Sequence, residues 1–267
     1  MMLKPHETHL HFGLEKPIRI LHLTDVHIAL TYEEEGEMLN ALSNRRRDVF
    51  FREANFPERD PVGYLEEAME YSKNFDCTVI TGDVLDLVFE KSKDVVKKIL
   101  AGKDYMFCAG NHEYCKRGTP ETFQSQPLLR KEVQPCFRGN MTFESRIVGG
   151  VNIIAADNGF VMWDKKMLPL LKAEVAKELP ILLFCHCPLT DPMRSLEYDH
   201  DKLIAAGATE EEIAASVEII NYIAEEPLFK AFFAGHGHFT TTFSLNGKPS
   251  HMLGGLFKGI VGEIVID

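Results

Sequence analysis

The fold of this 267-residue chain is indicated most clearly by one stretch, Cys77-Thr78-Val79-Ile80-Thr81-Gly82-Asp83-Val84-Leu85-Asp86. Its first half is a short apolar run, which predicts a buried strand of a parallel sheet. The strand ends at Gly82, which allows a tight turn, and two carboxylates follow three residues apart. Ligands of open α/β sheets collect beyond the carboxyl ends of such strands, so Asp83 is a candidate binding residue, although an ordinary turn has the same signature.

The same arrangement recurs at four further points along the chain. In each, a strand-like apolar run ends in side chains that can bind a cation or transfer a proton. Considered singly, each group is equally well explained as a turn, a helix cap or a buried histidine. Together they would bring seven ligands and one further histidine to one sheet edge. The five groups are Asp25 and His27, Asp83, Asn111 and His112, His186, and His236 and His238.

This mixture of imidazole, carboxylate and amide donors suits Mn²⁺, Fe or Zn²⁺ better than Ca²⁺. The donors are too many for one ion, so the sequence predicts two. Cys185 and Cys187 flank His186, but alternation along a strand would turn both thiols to the opposite face. Thiolate ligation is therefore disfavoured.

Three long segments separate the strand-like runs, and we predict that they are loop excursions over the metal edge: 28–60, 114–140 and 189–209. Arg45-Arg46-Arg47 in the first segment could contact a phosphate, or could lie on a solvated helix. Asp60-Pro61 predicts a helix start, and Thr209 with Glu212 forms a capping box.

Composition limits the classes of partner. Hydrophobic residues make up 45% of the chain, and the formal net charge is -11, which disfavours nucleic acid. We find no signal segment and no apolar run of about 20 residues, the length that a membrane helix needs. The six cysteines show no disulfide framework, so we expect reduced thiols and a cytoplasmic location.

The five groups together resemble the pattern of the calcineurin-like metallophosphoesterases, the metallo-dependent phosphatase superfamily. That pattern is D-x-H, G-D-x-x-D, G-N-H-[DE], H and G-H-x-H. It occurs here in order, as Asp25-Val26-His27, Gly82 to Asp86, Gly110-Asn111-His112-Glu113, His186, and Gly235-His236-Gly237-His238. The resemblance implies an α/β fold, a four-layer α/β/β/α sandwich of two mixed sheets, which we expect to form a single domain over residues 1–267.

The resemblance also implies a role for each matching residue. Asp25, His27 and His238 would hold the first metal, and Asn111, His186 and His236 the second. Asp83 would bridge the two ions, which are expected to be Mn and/or Fe, with Zn as an alternative. A metal-bridging hydroxide would attack phosphorus in line. His112 would protonate the leaving oxygen, with Asp86 orienting its imidazole.

Departures from subfamilies narrow the substrate class. Protein Ser/Thr phosphatases resemble this pattern but continue the second block as D-R-G, whereas Leu87 and Val88 follow Asp86 here. Purple acid phosphatases have a tyrosine ligand where Asp86 stands. We therefore expect a small-molecule phosphoester, with a phosphodiester slightly favoured over a phosphomonoester. A protein phosphatase, or a metal-binding scaffold without catalysis, is the alternative, and no nucleotide-binding glycine motif is present.

Overall fold

The computed structural model describes residues 3–54, 60–119, 122–190 and 194–267, with the side chains of 54 and 194–199 outside the description. Its first sheet has the strand order β1-β11-β2-β3-β4. The strands are β1 (Lys4–Leu10), β2 (Ile18–Leu23), β3 (Cys77–Thr81), β4 (Met106–Cys108) and β11 (Ile260–Ile266). β2, β3 and β4 are parallel, whereas β11 runs antiparallel to β2.

The second sheet has six strands in the order β5-β6-β7-β8-β10-β9. They are β5 (Phe143–Val148), β6 (Val151–Ala156), β7 (Ile181–Phe184), β8 (Phe229–Ala234), β9 (Thr241–Leu245) and β10 (Lys248–Met252). β6, β7 and β8 are parallel, and antiparallel hairpins flank them on both sides. The turns of these hairpins are Gly149-Gly150 and Asn246-Gly247, where left-handed backbone angles allow the tight connection.

Seven α-helices lie in the described part of the chain. They are α1 (Glu37–Ala54), α2 (Pro61–Tyr71), α3 (Glu90–Leu100), α4 (Gln126–Val133), α5 (Met167–Val175), α6 (Arg194–Ala205) and α7 (Glu210–Glu225). Two predicted helix starts are confirmed. Asp60 accepts a hydrogen bond from the backbone N–H of Val62, and Thr209 and Glu212 form the capping box of α7. None of the described helices is long and apolar enough to cross a membrane.

Three apolar cores give the molecule four layers. Alternation along β2 turns Ile18 and Ile20 toward the second sheet, where they pack in a core that also contains Phe184 and Phe233. Leu21 and Leu23 point the other way, into the core beneath α2, α3 and α4. A third core covers the outer face of the second sheet with α5 and α7. The predicted α/β architecture of two mixed sheets is confirmed.

The prediction of loop excursions needs correction. Each of the three segments contains a helix, namely α1 in 28–60, α4 in 114–140 and α6 in 189–209. Part of each segment lies outside the described residues. The physical reason is that each helix has apolar side chains to bury, such as Phe50 of α1, Leu129 of α4 and Leu203 of α6.

Candidate metal centre

The five predicted groups meet at one edge of the sandwich. β2, β3 and β4 end there in Asp25 and His27, Asp83, and Asn111 and His112, while β7 and β8 of the other sheet end in His186, and in His236 and His238. Parallel strands place their carboxyl ends on the same side, which brings distant parts of the sequence together. Backbone hydrogen bonds join neighbouring turns, for example from Val26 N–H to the carbonyl of Asp83 at 2.8 Å.

The first group of donor atoms surrounds a point beside β2. Nε2 of His27 lies 3.0 Å from Nε2 of His238 and 3.6 Å from Oδ1 of Asp25. Nε2 of His238 lies 3.4 Å from the same Asp25 oxygen. Two ligands bound to one ion at about 2.1 Å are themselves about 3.0–3.4 Å apart, so this spacing fits a bound cation.

The second group lies beside β4 and β7. Oδ1 of Asn111 is 3.0 Å from Nε2 of His186 and 3.1 Å from Nδ1 of His236. Oδ2 of Asp83 is 3.2 Å from Nε2 of His186 and 3.8 Å from Nε2 of His27. One carboxylate oxygen of Asp83 therefore stands between the two groups. Histidine, carboxylate and amide donors of this kind fit first-row transition metals.

Three of these histidines are oriented through their second ring nitrogen. Nδ1 of His186 contacts the carbonyl of Thr81 at 2.7 Å, Nδ1 of His27 contacts Oδ1 of Asp86 at 3.2 Å, and Nδ1 of His238 contacts Oε1 of Glu53 at 3.0 Å. Such contacts fix the ring and leave the other nitrogen available to a metal.

His112 stands at the rim, with its ring edge-on to that of His27 at a centroid distance of 4.8 Å. Its Nδ1 lies 2.6 Å from the carbonyl oxygen of Asp86 and 3.3 Å from Oδ1 of the same residue. No partner for its Nε2 occurs among the described residues. Burial alone would lower the pKa of His112, but the charges of Asp83 and Asp86 outweigh it and raise the pKa to about 10.

The buried carboxylate of Asp86 lies between Arg46 and the imidazoles of His27 and His112. Its carboxylate accepts two hydrogen bonds from Arg46, at 2.7 and 2.8 Å, in addition to the contacts of His27 and His112. Burial raises its pKa, but Arg46 and the two imidazoles outweigh burial and hold the pKa well below its usual value. Of the three predicted arginines, Arg46 thus binds Asp86.

The α1 helix contributes three contacts that the sequence alone did not reveal. Arg46, Phe50 and Glu53 follow one another at helical spacing and lie on one face. Phe50 stacks on His27 at a centroid distance of 4.1 Å, while Arg46 and Glu53 bind Asp86 and His238. The helical interpretation of this charged segment was therefore correct, but its pattern did not show which of its side chains would contact the candidate ligands.

Glu113 was quoted as part of the motif but was given no role by the sequence. Its buried carboxylate accepts hydrogen bonds from the backbone N–H groups of Gly110, Asp83, Val84 and Leu85, at 2.8 to 3.0 Å. Burial and the charge of Asp83 raise the pKa of Glu113 to about 7, although the four backbone hydrogen bonds act in the opposite direction.

Asn158, which follows β6, is a second contact residue that the sequence did not reveal. Its Oδ1 accepts from the backbone N–H of His186, and its place after a strand end, like that of Asn111, was the available signal.

The turns that carry the ligands have unusual backbone geometry. Five of the eight non-glycine residues with positive φ in the described chain are Asp25, His27, Asp83, His236 and His238. Such conformations cost about 1–3 kcal/mol each and persist only where surrounding contacts enforce them. The backbone of Gly235 also passes very close to the turn after β2, and only glycine fits there. A Cβ at this position would lie 1.9 Å from Oγ1 of Thr24 and 2.2 Å from Oδ2 of Asp25.

Replacing Gly235 by alanine should therefore displace Asp25 and reduce metal binding. The matched control is Gly237→Ala in the same loop, because its Cβ would meet the flexible end of Met252 and the exposed ring of Phe239 rather than a candidate ligand. We expect metal content per chain, measured by atomic absorption after dialysis against Mn²⁺, to fall in Gly235→Ala and to change little in Gly237→Ala. Equal metal contents in the two variants would contradict this role.

Replacing Glu113 by glutamine should loosen both strand ends, because an amide cannot accept all four backbone hydrogen bonds. We expect the free energy of unfolding in urea to fall by about 1–3 kcal/mol, and metal affinity to fall about 10–100-fold. Glu212→Gln is the control, because glutamine preserves a capping box. An unchanged metal affinity in Glu113→Gln would refute the argument.

Comparison with known proteins identifies the family. The sequence model described as calcineurin-like phosphoesterase matches residues 18–239. A search of curated proteins found no match.

The solved structures to which this chain is similar are distant from it in sequence. A purple acid phosphatase from yellow lupin (Lupinus luteus) is 13% identical with a TM-score of 0.51, and the alignment covers 94% of this chain and 44% of that one. A dimetal phosphatase from Danio rerio is 14% identical with a TM-score of 0.47, covering 90% and 88% of the two chains. A putative 5'-nucleotidase from Staphylococcus aureus is 12% identical with a TM-score of 0.49, covering 94% and 51%. This chain thus spans about half the length of two of these proteins, and the lupin structure agrees with the fold described above. From the family match over residues 18–239, the chain belongs to the calcineurin-like phosphoesterases.

Proposed function

We propose that this chain hydrolyses a small phosphoester at a centre of two metal ions. The observation that carries the proposal is the position of Asp83. Its Oδ2 lies 3.2 Å from a donor atom of one ligand group and 3.8 Å from a donor atom of the other. A shared anionic ligand in this position suits two cations about 3.5–4 Å apart.

The proposed ligand sets follow the two donor groups. Asp25, His27 and His238 would hold one ion, Asn111, His186 and His236 the other, and Asp83 both. Mn and/or Fe are the metals that this donor mixture favours, with Zn as the alternative. When bound, the two ions would activate water for attack on phosphorus and neutralise charge on the phosphoryl oxygens.

His112 is the proposed general acid, and Asp86 its positioning residue. The contacts of Nδ1 with Asp86 orient the ring and leave Nε2 available for the leaving oxygen. Arg46 holds the Asp86 carboxylate from its other side. Contacts that extend from Arg46 of α1 through Asp86 to His112 would thus set the position of the proton on Nε2.

A phosphodiester is the proposed substrate class, in preference to a monoester. A monoester carries up to two negative charges and a diester one, so a monoester needs more cationic side chains at the site. Arg46 is bound bidentately to Asp86, and Lys258 contacts Glu53, so both of these cations already have carboxylate partners. A single domain in the cytoplasm remains part of the proposal, and the burial of all six cysteines suits a reducing compartment.

Metal-stripped protein reconstituted with Mn²⁺ should hydrolyse bis-p-nitrophenyl phosphate faster than p-nitrophenyl phosphate. Asp83→Asn should lower kcat by about 10²–10³-fold, because a neutral amide cannot supply the shared anionic ligand. The control is Asp94→Asn, which removes an exposed carboxylate on α3. Full turnover by Asp83→Asn with full metal content would rule out the shared role of Asp83. No turnover of either ester by wild-type protein that holds two metals would favour the non-catalytic scaffold, and a monoester preference would reverse the substrate assignment.

His112→Gln should act selectively on substrates whose leaving group needs a proton. We expect kcat for diphenyl phosphate to fall by about 10²–10⁴-fold, and kcat for bis-p-nitrophenyl phosphate to fall much less, because nitrophenolate is stable without protonation. His9→Gln, at an exposed position on β1, is the control. Equal losses on the two esters would show that His112 is not the general acid.

A further inference from the structure

A second cavity lies beside the metal centre, between the starts of α4, α5 and α7. Its volume is about 340 Å³, and none of the candidate metal ligands lines it. Its apolar lining includes Phe123, Phe160 and Met162. Phe160 stacks on Tyr114 at a centroid distance of 5.6 Å, so an aromatic wall separates the cavity from the loop that carries Asn111. The size and walls suit a small molecule with a flat apolar body.

Two buried donors at this cavity have no acceptor in the part of the chain that the structure describes. Trp163 and Gln126 both line it, and Trp163 is only 1% exposed. Nε1 of Trp163 and Nε2 of Gln126 are buried without a hydrogen-bond partner among the described residues. Buried donors are almost always paired in folded proteins, so an unpaired pair in one cavity points to an acceptor that a ligand supplies.

Arg130 keeps N–H donors available at the cavity, whereas the acidic side chains of the lining are engaged within the protein. Each acidic side chain in the lining already has a partner in the protein: Asp157 contacts Arg130 and Tyr114, Asp164 accepts from the backbone N–H of Lys166, Glu211 pairs with Lys165, and Glu212 caps α7 at Thr209. The guanidinium of Arg130 has five N–H groups, and Asp157 and Tyr114 engage two of its nitrogens.

Two helix starts add to this preference. Gln126 is the first residue of α4 and Met167 the first residue of α5, both line the cavity, and neither helix has an acidic side chain in its first turn. The positive ends of the helix dipoles favour a negative ligand at such positions. The start of α7 does not contribute, because Glu210, Glu211 and Glu212 already occupy its first turn.

We propose that this cavity binds a flat organic anion of the aromatic carboxylate class. The carboxylate would accept hydrogen bonds from Arg130, Gln126 and Trp163, and the ring would pack against the phenylalanines. The cavity adjoins the metal centre through Gly159, where a Cβ would lie 2.8 Å from the carbonyl carbon of Gly110. The proposal is independent of the proposed catalytic function, because it rests on groups outside the metal centre.

Trp163 supplies a direct measurement, because it is the only tryptophan in the chain. We would titrate the metal-loaded protein with sodium benzoate at constant ionic strength and record fluorescence excited at 295 nm. Cyclohexanecarboxylate and benzylamine test the need for a flat ring and for negative charge. We expect a saturable change with benzoate, a weaker affinity for cyclohexanecarboxylate, and no saturation with benzylamine. Saturation by benzylamine with equal affinity, or no saturation by benzoate up to tens of millimolar, would overturn the proposal.

Two variants locate the site. Gln126→Glu replaces a donor by a carboxylate at a helix start that tolerates it, and should weaken benzoate binding about tenfold without unfolding the protein. Arg130→Gln should weaken it at least as much by removing the charge-assisted hydrogen bonds. Lys131→Gln, which removes an exposed charge from the same helix, is the control. Wild-type affinity for benzoate in Gln126→Glu would place the binding elsewhere and refute the assignment.

Discussion

The buried carboxylate of Glu113 is the contact on which the geometry of the metal edge depends. It accepts hydrogen bonds from the turn after β3 and from the turn after β4, and so joins the segments that carry Asp83 and Asn111. Both turns expose backbone N–H groups that no strand can satisfy, because the sheet has ended. One side chain satisfies four of these donors. Glu113 thereby holds Asp83 at a defined distance from Asn111 and the second group of donor atoms.

The turns that carry the candidate ligands have a strained backbone, which other contacts must hold in place. Left-handed backbone at Asp25, His27 and Asp83 turns their side chains toward the edge instead of along the strand direction. A chain would not hold these conformations in isolation. Hydrogen bonds between turns hold them, such as those from the backbone N–H of His236 to the Asp25 carboxylate, at 3.0 and 3.2 Å. The ligands of the two sheets thus stabilise one another before any metal is considered.

The α1 helix extends this organisation beyond the motifs of the family. Through Arg46, Phe50 and Glu53 it contacts Asp86, His27 and His238, so one helix face supports both the first ligand group and the proposed acid. Arg46 is paired with Asp86, so its charge is already engaged within the protein. In the proposed function, both the positioning of the imidazoles and the preference for a diester would therefore depend on a segment that lies outside the strand-end motifs.

The sequence by itself determined the architecture and which donor side chains follow the strands at one edge. Alternating apolar runs specify which faces of the strands are buried, and residues that directly follow a strand must lie at its end because they are covalently attached to it. Gly235, His236 and His238 could therefore be assigned to one edge without coordinates. The tertiary structure alone decided which donor atoms lie close together. It alone showed that Glu113 joins the turns after β3 and β4, that Asn158 binds the backbone N–H of His186, and that α1 contacts the candidate ligands. Apart from the hydrogen bond between Gly110 and Glu113, the hydrogen bonds among these contacts join residues 28 to 185 positions apart, and local sequence pattern carries no information about distances across such separations.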